Sequence, residues 1–210
     1  SHTNTNVNST VPRSIYETNR FLLQERFAPT YIEYAAFYGS MKIFKYLLLN
    51  KARIQFIGPR YAISGGNLDI IHILEDSNVD NFDEGCLIHA IVFHQNEILD
   101  YLHSSLGIPY GKNCLKWSIL SYNFYAFSKI LASFVKKSKK SNDIEGFEHL
   151  FAVGLQAAVK SGSLEMVEYI VSSAKIDFNK MNEKKEYGLI HKAAQYANID
   201  VFRFISSLPA

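Results

Sequence analysis

Disulfide chemistry has little to work with in this sequence. Only two cysteines, Cys86 and Cys114, stand among its 210 residues. No apolar run approaches the ~20 residues that a membrane-spanning helix needs. The net charge of +2 is too weak to call for a nucleic-acid partner. Catalytic signatures are missing as well: there is no G-x-S-x-G, H-E-x-x-H, Walker A or G-x-G-x-x-G. Seven histidines are scattered along the chain, and His89 with His94, five apart, makes a poor metal pair. No catalytic residue, metal ligand or cofactor is therefore assigned. No charged n-region and apolar h-region open the chain, so reduced thiols and an intracellular, cytoplasmic setting are expected.

What the sequence does have is self-similarity. Six stretches repeat one pattern: a small residue near the end of a helical segment, a turn, then a second helical segment. The small residues are Ala35, Ala62, Ala90, Ser118, Ala158 and Ala193, and the turn residues are Gly39, Gly66, His94, Tyr122, Gly162 and Ala197. A small side chain lets neighbouring helices approach closely, and the turn favours a positive φ, which Gly adopts cheaply. His94 and Tyr122 should then carry strain. The steps between turns are 27, 28, 28, 40 and 35 residues, and the run Lys136–His149 lengthens one of them. Helical spacing in the second segments predicts burial of Met41, Ile43, Phe44, Leu47 and Leu48, of Leu68, Ile70, Ile71 and Leu74, and of Leu164, Met166, Val167 and Ile170.

Paired helices are predicted at about 30–38 and 41–49, 58–64 and 67–75, 86–93 and 95–104, 113–121 and 123–135, 149–161 and 163–173, and 188–196 and 198–206. Residues 1–12, rich in Thr and Asn, read as a disordered tail, and 13–29 as an amphipathic capping helix with Ile15, Phe21, Leu22 and Phe27 on its apolar face. Cys86 and Cys114 each lie four residues before a small residue and read as stacked, buried thiols. The run Lys136–Lys140 within the insertion 136–148 reads as a solvated loop or as a docking or nuclear-import element.

Thr30-Tyr31-Ile32-Glu33-Tyr34-Ala35-Ala36-Phe37-Tyr38-Gly39 and Ile190-His191-Lys192-Ala193-Ala194 resemble the ankyrin signature T-P-L-H-x-A-A-x-x-G. The short steps resemble a divergent ankyrin group found in parasitic protists. The resemblance covers about 30–207. It implies an all-α, right-stacked helical solenoid of about six ankyrin-type repeats with shortened finger loops. It also implies that His191 ties neighbouring finger loops together, and that the two residues before each turn face a concave groove.

In those groove places stand Phe37, Tyr38, Val92, Phe93, Leu120 and Tyr196, with Lys51 and Arg53 in the adjoining finger loop and a second finger at 77–83. Two readings of the apolar ones stand side by side: an exposed stripe for a partner, or side chains tucked into the core. Tyr34, Tyr61, His89 and Trp117, each one residue before the small residue, read as semi-buried packing. The implied function is non-enzymatic binding of a partner protein, as yet unidentified, through groove and fingers. Two alternatives remain. One is nucleic-acid or nucleotide binding, if Arg53, Arg60, Lys116 and Lys160 converge. The other is a targeting arm for a larger enzyme.

Overall fold

The computed structural model describes residues 6–23, 28–77, 82–138, 144–174 and 188–208. Twelve helices and no strands occur among these residues. The chain divides into two compact units, Ser1–Ile108 and Pro109–Ala210.

The first unit holds three helix pairs. They are α1 (Tyr31–Phe37) with α2 (Met41–Leu49), α3 (Gly58–Gly65) with α4 (Leu68–Asp76), and α5 (Glu84–Val92) with α6 (Asn96–Ser104). The first helices lie side by side, α1 on α3 and α3 on α5. The second unit repeats the plan with α7 (Lys112–Leu120) and α8 (Phe124–Ser138), α9 (Ile144–Ser161) and α10 (Leu164–Ala174), and α11 (Leu189–Gln195) and α12 (Ile199–Ser207). There α7 lies on α9 and α9 on α11.

One turn recurs six times. Gly39, Gly66, His94, Tyr122, Gly162 and Ala197 all have φ between 54° and 76°. In five copies the next residue's N–H returns to the carbonyl of the small residue, at Ala35, Ala62, Ala90, Ser118 and Ala193. That is the closure of a left-handed helix C-terminus. All six small residues are buried, so the turn and the close helix approach are specified together. His94, Tyr122 and Ala197 hold the left-handed conformation without being glycine, as the register predicts.

In four of the copies the residue after the turn does one of two jobs. Asn67 and Asn123 cap their own helices by accepting the N–H of Ile70 (2.9 Å) and Ala126 (3.1 Å). Gln95 and Asn198 instead reach back to the preceding pair, donating to the carbonyls of Ser64 (3.5 Å) and Val159 (3.0 Å). Gly65 serves a different need. A Cβ there would collide with the backbone of Phe37, so α3 can lie this close to α1 only without one.

Phe44, Leu47, Ile70, Ile71, Leu74, Met166, Val167 and Ile170 are buried, as their spacing predicts, while Met41, Leu48, Leu68 and Leu164 are only half-buried. Ile43 is a correction: it is 57% exposed, in line with exposed Tyr46 and Leu49 on the outer face of α2. A buried carboxylate missed by the pattern secures the start of α1. Glu33 accepts the backbone N–H (2.8 Å) and hydroxyl (2.9 Å) of Thr30 and the backbone N–H of Gln55 (2.9 Å). On the second helices, the Tyr101 hydroxyl donates to Glu75 at 2.6 Å and ties α6 to α4.

The N-terminal region departs most from expectation. Residues 6–12 are not a loose tail. Thr10 bridges to Thr30, Val11 N–H donates to the Pro29 carbonyl at 2.8 Å, and Arg53 N–H donates to Asn8 Oδ1 at 2.7 Å. The helix expected over 13–29 is replaced by turns across 13–23. The cause is local: the side chains of Ser14, Glu17 and Asn19 accept the backbone N–H groups of Tyr16, Asn19 and Phe21, an alternative to helical bonding.

Lys136 and Lys137 are not in a loop but in the last turn of α8, where positive charge complements the helix dipole. Helix α9 begins at Ile144 rather than near 149. Residues 1–5, 24–27, 78–81 of the second finger, 139–143 of the insertion and 175–187 lie outside the described residues.

Candidate interaction surface

In the first unit, the ends of α1 and α5 bring aromatic side chains to one face. Phe37 and Phe93 have ring centres 6.0 Å apart, edge to face, and both are half-buried. Tyr61 is buried beside them, and His89 stacks parallel to Phe93 at 6.2 Å. These rings do not meet water as a bare stripe. Phe21, from the N-terminal turns, enters among them, 4.6 Å from Tyr61, 4.6 Å from His89, 5.8 Å from Phe93 and 6.3 Å from Phe37. Leu22 is buried with it. Phe37 and Phe93 are thus neither a bare exposed stripe nor fully buried core: they are half-buried, and a segment of this same chain packs over them.

A polar contact completes the arrangement. One oxygen of Glu17 accepts the hydroxyls of Tyr34 and Tyr38, each at 2.9 Å, and the other accepts the Asn19 N–H at 2.8 Å. The Asn19 N–H leads in holding Glu17 below the usual carboxylate range; partial burial opposes it, and the two phenols add to it. Burial, then the carboxylate itself, pushes Tyr38 upward. Each group is held in the protonation state the bonds need, carboxylate accepting and phenol donating. Tyr38 remains 52% exposed despite this bond.

His89 has a settled role. Its Nδ1 is 2.9 Å from Ser64 Oγ, and burial pushes it down to about 4, with nearby Arg60 lowering and Asp83 raising it. It therefore sits neutral in the cluster at neutral pH. Among the described residues no group of His, Cys, Asp and Glu is placed to hold a metal ion.

Of the other predicted positions in this unit, Val92 is half-buried and Lys51 and Arg53 are exposed. Lys51 has φ 60°, a second left-handed residue just after α2. Arg60 bonds Asp83 at 2.8 Å, so the guanidinium invoked for nucleic acid is engaged within the fold. Leu120 and Tyr196 belong to the second unit. Leu120 is half-buried, and Tyr196 is 40% exposed beneath the Lys160 ammonium, 5.7 Å from its ring centre. Trp117 is 40% exposed rather than packed, and His191 is exposed. Cys86 lies in the first unit and Cys114 in the second; both are buried and neither is in a disulfide. Glu17, Phe21 and Leu22 were missed as site residues. Their apolar spacing fits a helix equally well, and no local signal shows which distant rings they meet.

Residues 51–130 match the family model of DUF3447, a domain of unknown function. The matched span runs from the loop before α3 into α8, so it includes Tyr61, His89 and Phe93 but not Glu17, Phe21 or Tyr38. No curated protein and no solved structure matches the chain. No helix among the described residues is long and apolar enough to cross a membrane.

Proposed function

We propose that this chain is an ankyrin-type repeat protein of the short-repeat kind. Its work is to bind a partner protein, without chemistry, through the aromatic face formed by α1 and α5. The repeated left-handed turns and the buried small-residue positions support the ankyrin reading. One observation carries the functional part: this face already receives a non-helical stretch of polypeptide, gripped by an apolar pair and a carboxylate. A surface that binds a peptide in this manner has aromatic anchors and donors placed for a second one. Lys51 and Arg53 stand exposed in the loop after α2 and are assigned to the rim. An intracellular, cytoplasmic setting belongs to the same reading.

The test compares proteins retained from native lysate by four forms of the chain. A true partner is retained by the unsubstituted protein and by Lys42→Glu, an exposed change on α2, and is lost with Tyr38→Ala and Phe93→Ala. Equal retention by all four would overturn the reading.

A further inference from the structure

The aromatic face is filled by residues 14–23, and the way that strap is attached differs from the way the rest of the chain is built. Its backbone-to-backbone bonds to described residues are local: Glu17 N–H to the Ser14 carbonyl (3.2 Å) and Leu23 N–H to the Asn19 carbonyl (3.1 Å). Its grip on the body is concentrated in three side chains, the Glu17 carboxylate and the buried Phe21 and Leu22. Ile15 and Tyr16 are 90% and 87% exposed and add nothing to that grip.

The flanks, by contrast, are tied by backbone. Thr10 bridges to Thr30, Val11 N–H reaches Pro29, and Tyr31 N–H reaches Ser9. The strap's base is therefore closed independently of its tip.

We propose that the strap is a tethered occupant of a peptide-binding site. The site's partner is a protein segment with a carboxylate four residues before a Phe-Leu pair, and it binds by displacing residues 14–23. The inference rests on the reading of this face as a recognition surface. The specificity follows from the contacts. The paired hydroxyls of Tyr34 and Tyr38 select an acceptor, and the ring set Phe37, Tyr61, His89 and Phe93 selects an aromatic side chain. Tethering sets the competition. A short loop presents its tip at an effective concentration on the order of 1 mM. If the same peptide binds from solution at about 0.1 mM, the closed strap weakens an incoming ligand about tenfold.

The probe is a fluorescent peptide with the sequence of residues 14–23, SIYETNRFLL. Its binding is read by anisotropy against the full chain, unsubstituted, with Glu17→Gln, and with Phe21→Ala plus Leu22→Ala. The doubly substituted chain should bind it about tenfold more tightly than the unsubstituted chain, and Glu17→Gln should fall between. Replacing the peptide's own Glu with Gln, or its Phe with Ala, should remove most of the binding. So should Tyr38→Phe in the opened chain.

Equal affinity for all three chains would overturn the proposal, as would no binding by an opened chain that keeps its helical circular dichroism. If the double substitution lowers the melting temperature, excess peptide should restore it; no restoration would make the strap part of the core and also overturn the proposal. The two readings fail separately. If the peptide does not bind while Tyr38→Ala still strips a captured partner, recognition stands and the tethered occupant falls.

Discussion

At the scale of single residues, the left-handed turn gives the sharpest test. Ala197 holds φ 54° where three other copies use glycine, and it is exposed. An L-residue in this region carries about 1 kcal/mol of strain, partly offset by the greater freedom glycine has when unfolded. Ala197→Gly should therefore raise stability by about 0.5 kcal/mol at most in denaturant titration. Tyr122 is a poorer subject, because its hydroxyl also donates to the Ser161 carbonyl at 2.7 Å.

His89 gives a pH test at the same scale. Below about pH 6.5 an unfolded chain takes up a proton on this histidine. The folded chain, where burial holds the group near 4, does not. Stability should fall as pH drops through that window, by up to about 3 kcal/mol. His89→Gln should flatten that part of the profile in thermal melts. An unchanged slope would mean that the ring is solvated in the fold.

At the scale of elements, the second helices were legible because burial and helical period coincide. Leu74 of α4 is fully buried, so Leu74→Ala should cost about 2–4 kcal/mol through the cavity it leaves. Chemical denaturation measures this directly. The six turns were legible for a related reason: chirality restricts which residues stand there, so Gly39, Gly66 and Gly162 disclose the register.

Residues 13–23 were not legible as an element. Ile15, Phe21 and Leu22 fit a helical face, but Ser14, Glu17 and Asn19 spend their side chains on the N–H groups a helix would have used. The candidate site was half legible for the same reason. Tyr38 and Phe93 announce themselves by position within a repeat. Their partners Glu17 and Phe21 are joined to them only through contacts distant in sequence.

At the scale of the whole molecule, each unit carries one cysteine on the first helix of a pair, in α5 and in α7, and each thiol is buried. Burial pushes the Cys86 thiol up to about 12, so little reactive thiolate forms at neutral pH. Both thiols should resist alkylation in the native protein and should be modified fully once it is unfolded. The rate under native conditions then reports opening of the core. Intact mass after alkylation checks this, with two adducts expected from the denatured chain and almost none from the native one. Rapid native labelling would show that one of the helices opens easily.

If residues 14–23 are a tethered occupant as proposed, the base closed by the Thr10–Thr30 bridge makes them replaceable. The entropy of closing a loop grows slowly with its length, by about 0.6 kcal/mol for each doubling. Related chains could therefore lengthen, shorten or rewrite this stretch without retuning the helices that flank it. Partner choice would then diversify through a cassette, while the repeats stay under the slower constraint of packing.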